Sequence, residues 1–494
     1  MTDPKSPPKF SDILPTAAML PLARETIALL ASGGDARISL DPQTGLNRYL
    51  SAPYPRRTMA FASSTANDLS EAAFAYACKR VGEGLGDYGQ ALDALRERIL
   101  AAYELIESSE IVFAASGTDL EYVALAAVQE RSPNGIHNVL LGADEVGSGC
   151  PLSAHGKYFA EQTSLGVPTQ KGMTIPGFED VSLADIAVRC PEGRARSAEQ
   201  IANAIEVEVR LARGAGKQAL VHIVHGSKTG LILPDLGHLD YLQARWGEDV
   251  TFVVDACQAR ITSRALADYL ARGAIVFVTG SKFMGGAPFN GFALLPQQVM
   301  DRVGPLNDGL ANVFRKGEWP DNWPGSDKLA DGANPGLLLR LDAAVFELER
   351  FQRLPMREIE RVVEVFETAI ECELLSPLDV EMVKPWAPGA REHARIHPIE
   401  MRTLATIDVS ALPGMRTFDD AQAVHRRLAV NGIRLGQPVK CVRLPERAWG
   451  GTLRIGLSMP QIVRLAALDD ESLGVTLRAE ICEIAQALTL KVAA

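Results

Sequence analysis

Short, continuously apolar runs recur along the first two-thirds of the chain: IVFAAS (111–116), NVLLGA (138–143), ALVHIVH (219–225), VTFVVDA (250–256) and AIVFVTG (274–280). Runs of this length, rich in β-branched residues, predict strands buried on both faces. Between them lie longer segments with apolar residues every three or four positions. SAEQIANAIEVEVRLARG (197–214) and ITSRALADYLARG (261–273) are examples, and YGQALDALRERILAAYELI (88–106) is a third. A further helix is expected to begin at GTDLEYVALAAVQ. The alternation predicts an α/β fold with a mostly parallel sheet covered on both faces. FALLP (292–296) follows AIVFVTG too closely for a helical crossover, so it is expected as an antiparallel neighbour.

After about Pro335 the pattern changes. A long helix, PGLLLRLDAAVFELERF, leads to strand-like segments RTLATIDVS (402–410) and TLRIGLS (452–458) separated by helices, which predicts a smaller α+β domain. Residues 1–60, rich in Pro, Gly and Arg, predict an irregular arm. The expected division is therefore an arm (1–60), a large domain (61–335) and a small C-terminal domain (336–494). A chain of 494 residues is more than one core usually organises.

Composition narrows the function classes. A net charge of −11 argues against a nucleic-acid or anionic-membrane surface, and no apolar run approaches the roughly 18 residues that span a bilayer. The proline-broken start carries no signal-peptide pattern. Seven cysteines (78, 150, 190, 257, 372, 441, 482) are scattered without C-x-x-C spacing. They predict reduced thiols, no metal site and a cytoplasmic location.

Candidate chemistry gathers at three strand ends, where open parallel sheets bind ligands. Ser116, Gly117 and Thr118 follow IVFAA and open a helix, a turn suited to a phosphate; Thr118 and Glu121 also fit a capping box. Asp255 ends VTFVV, and Lys282 follows AIVFVTGS. A carboxylate and an amine at buried strand ends each need a partner, and pairing with each other is one solution. The larger set offers another: a phosphate cup, the acid, Gln258, and a lysine flanked by Thr279 and Ser281. Pyridoxal 5′-phosphate (PLP) carries a phosphate, a ring nitrogen, a phenolic oxygen and an aldehyde that would satisfy each group separately.

The motifs SGTDLE, VDACQ and TGSKFMGGAPFNG carry a resemblance to the fold-type I PLP enzymes, above all to the class V aminotransferase and cysteine desulfurase group. It extends from about residue 88 to 345, and more loosely to 460. The resemblance implies a large domain with a mostly parallel seven-stranded sheet and a small α+β domain. It implies Lys282 as the Schiff-base lysine and acid/base, Asp255 at the pyridine nitrogen and Gln258 at the phenolic oxygen. Ser116, Gly117, Thr118, Thr279 and Ser281 would hold the phosphate. Ser227, in VHGSKTG (224–230), stands where the family commonly has asparagine near the cofactor oxygen. The segment Gly332–Asn334 is similar to one that contacts the other subunit's phosphate, which implies a homodimer with composite sites.

A substrate carboxylate calls for a two-point donor. The resemblance picks Arg454, with Arg434 as a second candidate; either is equally an ordinary ion-pair residue. Lys228 is an addition that would suit an acidic, phosphorylated or sulfonated substrate, or would simply be a solvated loop lysine. Two features depart from the family. Glu145-Val146-Gly147-Ser148 offers no ring where an aromatic residue, usually histidine, stacks on the cofactor, and His155 lies ten residues beyond Glu145. Val439 occupies the place of the desulfurase thiol, with Cys441 two residues on. The expected function is an aminotransferase acting on an amino-acid-like small molecule. A PLP-dependent lyase and a non-catalytic PLP-fold binding protein are the alternatives.

Overall fold

In the computed structural model, which describes residues 20–105, 109–143, 145–147, 149–387, 399–400 and 402–489, the strand Val250–Asp255 lies near the middle of the main sheet. Across the sheet the strands run Ser109–Ala114, Gly291–Pro296, Ile275–Thr279, Val250–Asp255, Gln218–His225, Ile136–Leu141 and Val181–Ile186. Gly291–Pro296 is antiparallel to both neighbours, as its short connection requires, and the other four pairings of the main path, from Ile275–Thr279 outward, are all parallel. An eighth strand, Ile232–Leu233, folds back antiparallel onto Val224 and His225. The sheet thus has eight strands where seven were expected. The extra one is a two-residue hairpin return, too short to leave a periodic signal.

Alternate residues of each strand enter two different cores. One face packs against Tyr88–Ala102, Ala198–Gly214, Leu236–Trp246, Ser263–Ala271 and Pro335–Gln352. The other packs against Leu120–Val128, all nine of whose residues are buried, because that helix lies between the sheet and a layer containing Phe314, Trp319 and Trp323. Its almost wholly apolar sequence, LEYVALAAV, broken by the buried Glu121 and the Tyr122 hydroxyl, reflects burial on every side. Asp255 shares its face with Val253 and thus points towards this second core.

The C-terminal part contains an antiparallel sheet of Glu381–Met382, Leu404–Asp408 and Thr452–Gly456, packed with Met356–Ile370, Phe418–Val430, Met459–Ala466 and Asp470–Thr489. Residues 1–19 of the arm lie outside the described residues. From Leu20 the arm is ordered by contacts far away in sequence. Leu20–Leu30 is a helix, and Met59–Phe61 pairs in parallel with Ile433–Leu435.

Arg340, fully buried in Pro335–Gln352, anchors the arm. Its guanidinium donates to the carbonyl oxygens of Phe289 (2.7 Å), Leu30 (3.1 Å), Gly33 (2.8 Å) and Ser32. A buried charge satisfied by carbonyl dipoles leaves several unpaired acceptors when it is removed. Arg340→Met is expected to destabilise the fold by about 2 kcal/mol or more and to release the arm. Thermal unfolding and faster tryptic cleavage at Arg37 would report both effects.

Candidate active site

The carboxyl ends of the parallel strands border a cavity of about 240 Å³. Asp255 ends one strand and Lys282 stands just beyond the end of its parallel neighbour, and both line this cavity. Asp255 Oδ1 accepts the Cys257 amide at 2.9 Å. Among the described residues no ion pair joins Asp255 to Lys282, so the two groups do not simply neutralise each other.

Ser116, Gly117 and Thr118 form the adjoining wall. The amides of Asp119 and Leu120 turn back onto the Ser116 carbonyl (3.1 and 3.3 Å), and those of Gly117 and Thr118 precede that turn. A Cβ on Gly117 would stand 2.9 Å from Thr279 Cγ2 and 3.1 Å from Cys257 Sγ, so only glycine leaves this cradle open. The capping box expected from Thr118 and Glu121 does not form. Asp119 is the N-cap without a side-chain cap bond, and Glu121 is buried instead. Ser116 Oγ donates to Asp119 Oδ2 at 2.5 Å, and burial pushes the Asp119 carboxyl up to about 6. Thr279 Oγ1 likewise donates to the Cys257 carbonyl at 2.5 Å.

Gln258 lines the cavity with a fixed orientation. Arg260 Nη1 donates to its Oε1 at 2.9 Å, which assigns Nε2 as the donor end; Nε2 in turn reaches the Ser64 carbonyl at 3.3 Å. Beneath Asp255, His222 and Glu121 meet at 3.3 Å on the same face of the sheet. That is ion-pair distance. Yet burial lowers His222 to about 4 and raises Glu121 well above its ordinary value, so burial works against the charged form of both partners.

Among the described residues, two buried oxygens on the cavity wall, Ser64 Oγ and Asn290 Oδ1, have no hydrogen-bond partner. A ligand in the cavity is one way to satisfy them. A phosphate cradle, a carboxylate, an amide donor and a primary amine around one small cavity fit the donor and acceptor pattern of PLP.

No protein-family model and no curated protein matches the chain. Solved structures do. A NifS-like protein is similar over 87% of this chain and 99% of its own length, at 13% identity and a TM-score of 0.53. A cysteine desulfurase from Thermococcus onnurineus NA1 is similar over 87% and 95%, at 16% identity and a TM-score of 0.52. The cysteine desulfurase CsdA from Escherichia coli matches over the same shares at 12% identity and a TM-score of 0.52. The chain has the fold of the type I PLP enzymes.

Within this fold-type I frame, Lys282, Asp255, Gln258, Ser116, Gly117, Thr118, Thr279, Ser281, Ser227, Lys228 and Arg454 all border the one cavity. Several are oriented otherwise than expected. Ser227 Oγ donates to Glu145 Oε2 at 2.8 Å, so its hydroxyl points into the protein. Arg454 is buried and already donates to the carbonyls of Gln437 (2.7 Å), Ser64 (3.2 Å) and Lys228 (3.1 Å) and to Thr65 Oγ1 (3.1 Å). Arg434 does not line the cavity: it pairs with Asp68 at 3.0 Å and donates to the Ala66 carbonyl at 2.9 Å. Asn334 caps the helix Pro335–Gln352 and donates to the Gly33 carbonyl at 3.1 Å.

Glu145, where a ring was expected, is buried and held by Arg189, Ser227 and Thr229, while Val146 lines the cavity. Ser148 lies outside the described residues, and His155 is not part of the wall. The aromatic rings come from Tyr49 and Phe289, 6.0 Å apart. Cys441 is buried outside the wall, its thiol pushed up to about 12 by burial. Cys150 and Cys257 do line the cavity, with thiols that burial raises further.

Sequence reasoning missed Arg37, Tyr49, Phe289 and Arg260. Arg37 enters the cavity from the arm, held by Asp35 and flanked by the rings of Phe159 and Phe289 at 5.0 Å each. Arg260 had at most a faint signal: a charge two residues after Gln258, flanked by Ala259 and Ile261.

The depressed His222 pKa has a measurable consequence. The unfolded chain takes up a proton on this imidazole below about pH 6.5, and the folded chain does not until about 4. Its contribution is therefore complete above pH 6.5 and lost as pH falls through that window. Glu121, raised by burial, has the opposite sign, so the His222 part is read by difference. Between pH 7 and 5 the native chain should lose about 2 kcal/mol more stability than His222→Gln, by denaturant unfolding at each pH.

Proposed function

We propose that this chain is a PLP-dependent enzyme acting on an amino acid or amine, most simply an aminotransferase. The observation that carries the proposal is the arrangement at two neighbouring parallel strand ends: Asp255 and Lys282 border one cavity without pairing with each other, beside the Gly117 cradle. When bound, PLP supplies a ring that accepts the electron pair left as a bond at the amine-bearing carbon breaks.

The chain's own residues supply the rest. Lys282 provides the amine that anchors the aldehyde and, once displaced, moves a proton at the substrate carbon. Asp255 holds the proton on the ring nitrogen, and Cys257 N–H orients that carboxylate. Gln258, fixed by Arg260, presents its amide hydrogens to the phenolic oxygen. The turn Ser116–Thr118 receives the phosphate at the start of Leu120–Val128, where backbone amides and the helix dipole favour an anion. Ser281, beside Lys282, completes that side. A homodimer in which Gly332–Asn334 meets the partner's phosphate belongs to the same proposal.

Persulfide chemistry of the desulfurase kind needs an accessible thiolate. The cavity cysteines and Cys441 are all raised by burial, which favours transamination. A lyase without a thiol nucleophile would use the same parts and is the alternative.

Borohydride reduction of the PLP-loaded protein followed by peptide mapping is expected to label Lys282; a label elsewhere removes the assignment. Lys282→Ala should lose the cofactor's bound absorbance and essentially all turnover. Incubation with an amino-acid panel separates the reaction types. The pyridoxamine form indicates transamination, and ammonia with a keto acid indicates elimination. Gly117→Ala should weaken PLP binding about tenfold, a loss of ~1.4 kcal/mol, by absorbance titration with the circular dichroism unchanged.

A further inference from the structure

The side-chain donors expected to hold a phosphate are partly spent within the chain. Ser116 Oγ donates to Asp119 Oδ2, and Thr279 Oγ1 donates to the Cys257 carbonyl. Backbone amides remain at the turn Ser116–Thr118, but a dianion also calls for a charged donor. Lys282 has its place at the aldehyde.

The arm brings another cation to the same cavity wall, Arg37. Asp35, itself buried, accepts the Arg37 amide at 2.9 Å and Arg37 Nε at 2.8 Å. The residues just before this turn are held by Arg340, and Asn334 Nδ2 donates to the Gly33 carbonyl at 3.1 Å. Arg37 therefore extends from a clamped segment.

Two rings fix where its guanidinium lies. The central carbon stands 5.0 Å from the ring centres of both Phe159 and Phe289. Phe159 stacks on Tyr122, in the first turn of Leu120–Val128, at 6.3 Å. It also lies beside Thr118: a Cβ on Gly149 would stand 2.9 Å from Thr118 Cγ2 and 3.4 Å from Phe159 Cδ2. Arg37 is thus placed at the start of that helix, next to the Ser116–Thr118 turn. Its charge accordingly acts on the Asp119 carboxyl.

An arginine fork has two donor edges. Asp35 occupies the edge formed by Nε and Nη2. The other edge, formed by Nη1 and the second Nη2 hydrogen, has no acceptor among the described residues. We infer that Arg37 grips the phosphate of the cofactor through this second edge, so that the arm supplies the cationic phosphate ligand from within the same chain. The inference rests on the PLP reading above and extends it, because it ties the closure of the arm to a phosphate in the cavity.

The test compares PLP with pyridoxal, which has the same ring and aldehyde but no phosphate, by absorbance titration of the cofactor-free protein. Arg37→Gln should weaken PLP binding at least about tenfold, the scale of a lost charge-assisted contact, and leave pyridoxal within about twofold. Equal losses for the two ligands, or PLP binding within about twofold of the native chain, overturn the inference. Arg37→Gln also takes the partner from Asp35, so a second reading uses the native chain. PLP should slow tryptic cleavage of the bond between Arg37 and Ile38 more than pyridoxal does; equal slowing overturns the inference. Borohydride labelling of Lys282 with PLP is established first. Its failure removes the enzyme reading, whereas a labelled Lys282 with an unchanged PLP-to-pyridoxal ratio in Arg37→Gln removes only the role of Arg37.

Discussion

Three fully buried guanidinium groups, Arg260, Arg340 and Arg454, hold the segment from Leu30 to Thr65 against the carboxyl edge of the sheet. Arg340 takes the carbonyls of Leu30, Ser32 and Gly33. Arg260 takes Ser63 Oγ at 2.7 Å, with Thr403 Oγ1 and the Leu457 carbonyl. Arg454 takes Ser64 O and Thr65 Oγ1. Among the described residues their hydrogen-bond acceptors are carbonyls, hydroxyls and the Gln258 amide, with no carboxylate. Hydrogen bonds from a charged donor are worth about 1.5–3 kcal/mol each, and several per guanidinium are needed to offset its desolvation. Because the arm is closed this way, Arg37, Tyr49 and Ser64 become walls of the cavity, and the site is completed by residues remote in sequence from the lysine.

That dependence explains which parts of the molecule were legible. The central strands were, because burial on both faces demands unbroken apolar runs such as ALVHIVH. The antiparallel strand Gly291–Pro296 followed from connection length alone. The edge strand Val181–Ile186 was not legible. VSLADI has only its end residues buried, so neither an apolar run nor an alternation appears. The arm read as irregular for a similar reason. Its order comes from donors on Arg340, Arg260 and Arg454, and a carbonyl acceptor leaves no mark on the residue that carries it.

The site divided along the same line. Strand-end residues were readable, since a polar group closing a buried strand stands out against its run: Asp255, Gln258, Lys282 and the Ser116–Thr118 turn all border the cavity. What each side chain bonds was not. Arg454 and Arg434 look alike on paper, yet one is spent on main-chain carbonyls beside the cavity and the other on Asp68 away from it. Glu121 read as half of a capping box because its spacing from Thr118 was right. Glu121 is instead buried with the rest of Leu120–Val128 and faces His222 at 3.3 Å, a contact that spacing along the chain does not reveal.

The charge balance of the whole chain bears on what the cavity admits. A molecule with a net charge of −11 presents a mostly negative exterior to solution. The cavity runs the other way. Among the described residues four cations border it against two acids, Glu145 and Asp255; Arg37 is paired with Asp35 and Glu145 with Arg189 at 2.9 Å, and the other charged groups on the wall are Lys228, Lys282 and Arg454 against Asp255. Low-dielectric walls focus such a local excess, so the cleft attracts phosphate and carboxylate although the surface around it repels them. Arg454 and Lys282 both lower the Lys228 amine, so the cations of the cavity act on one another at close range.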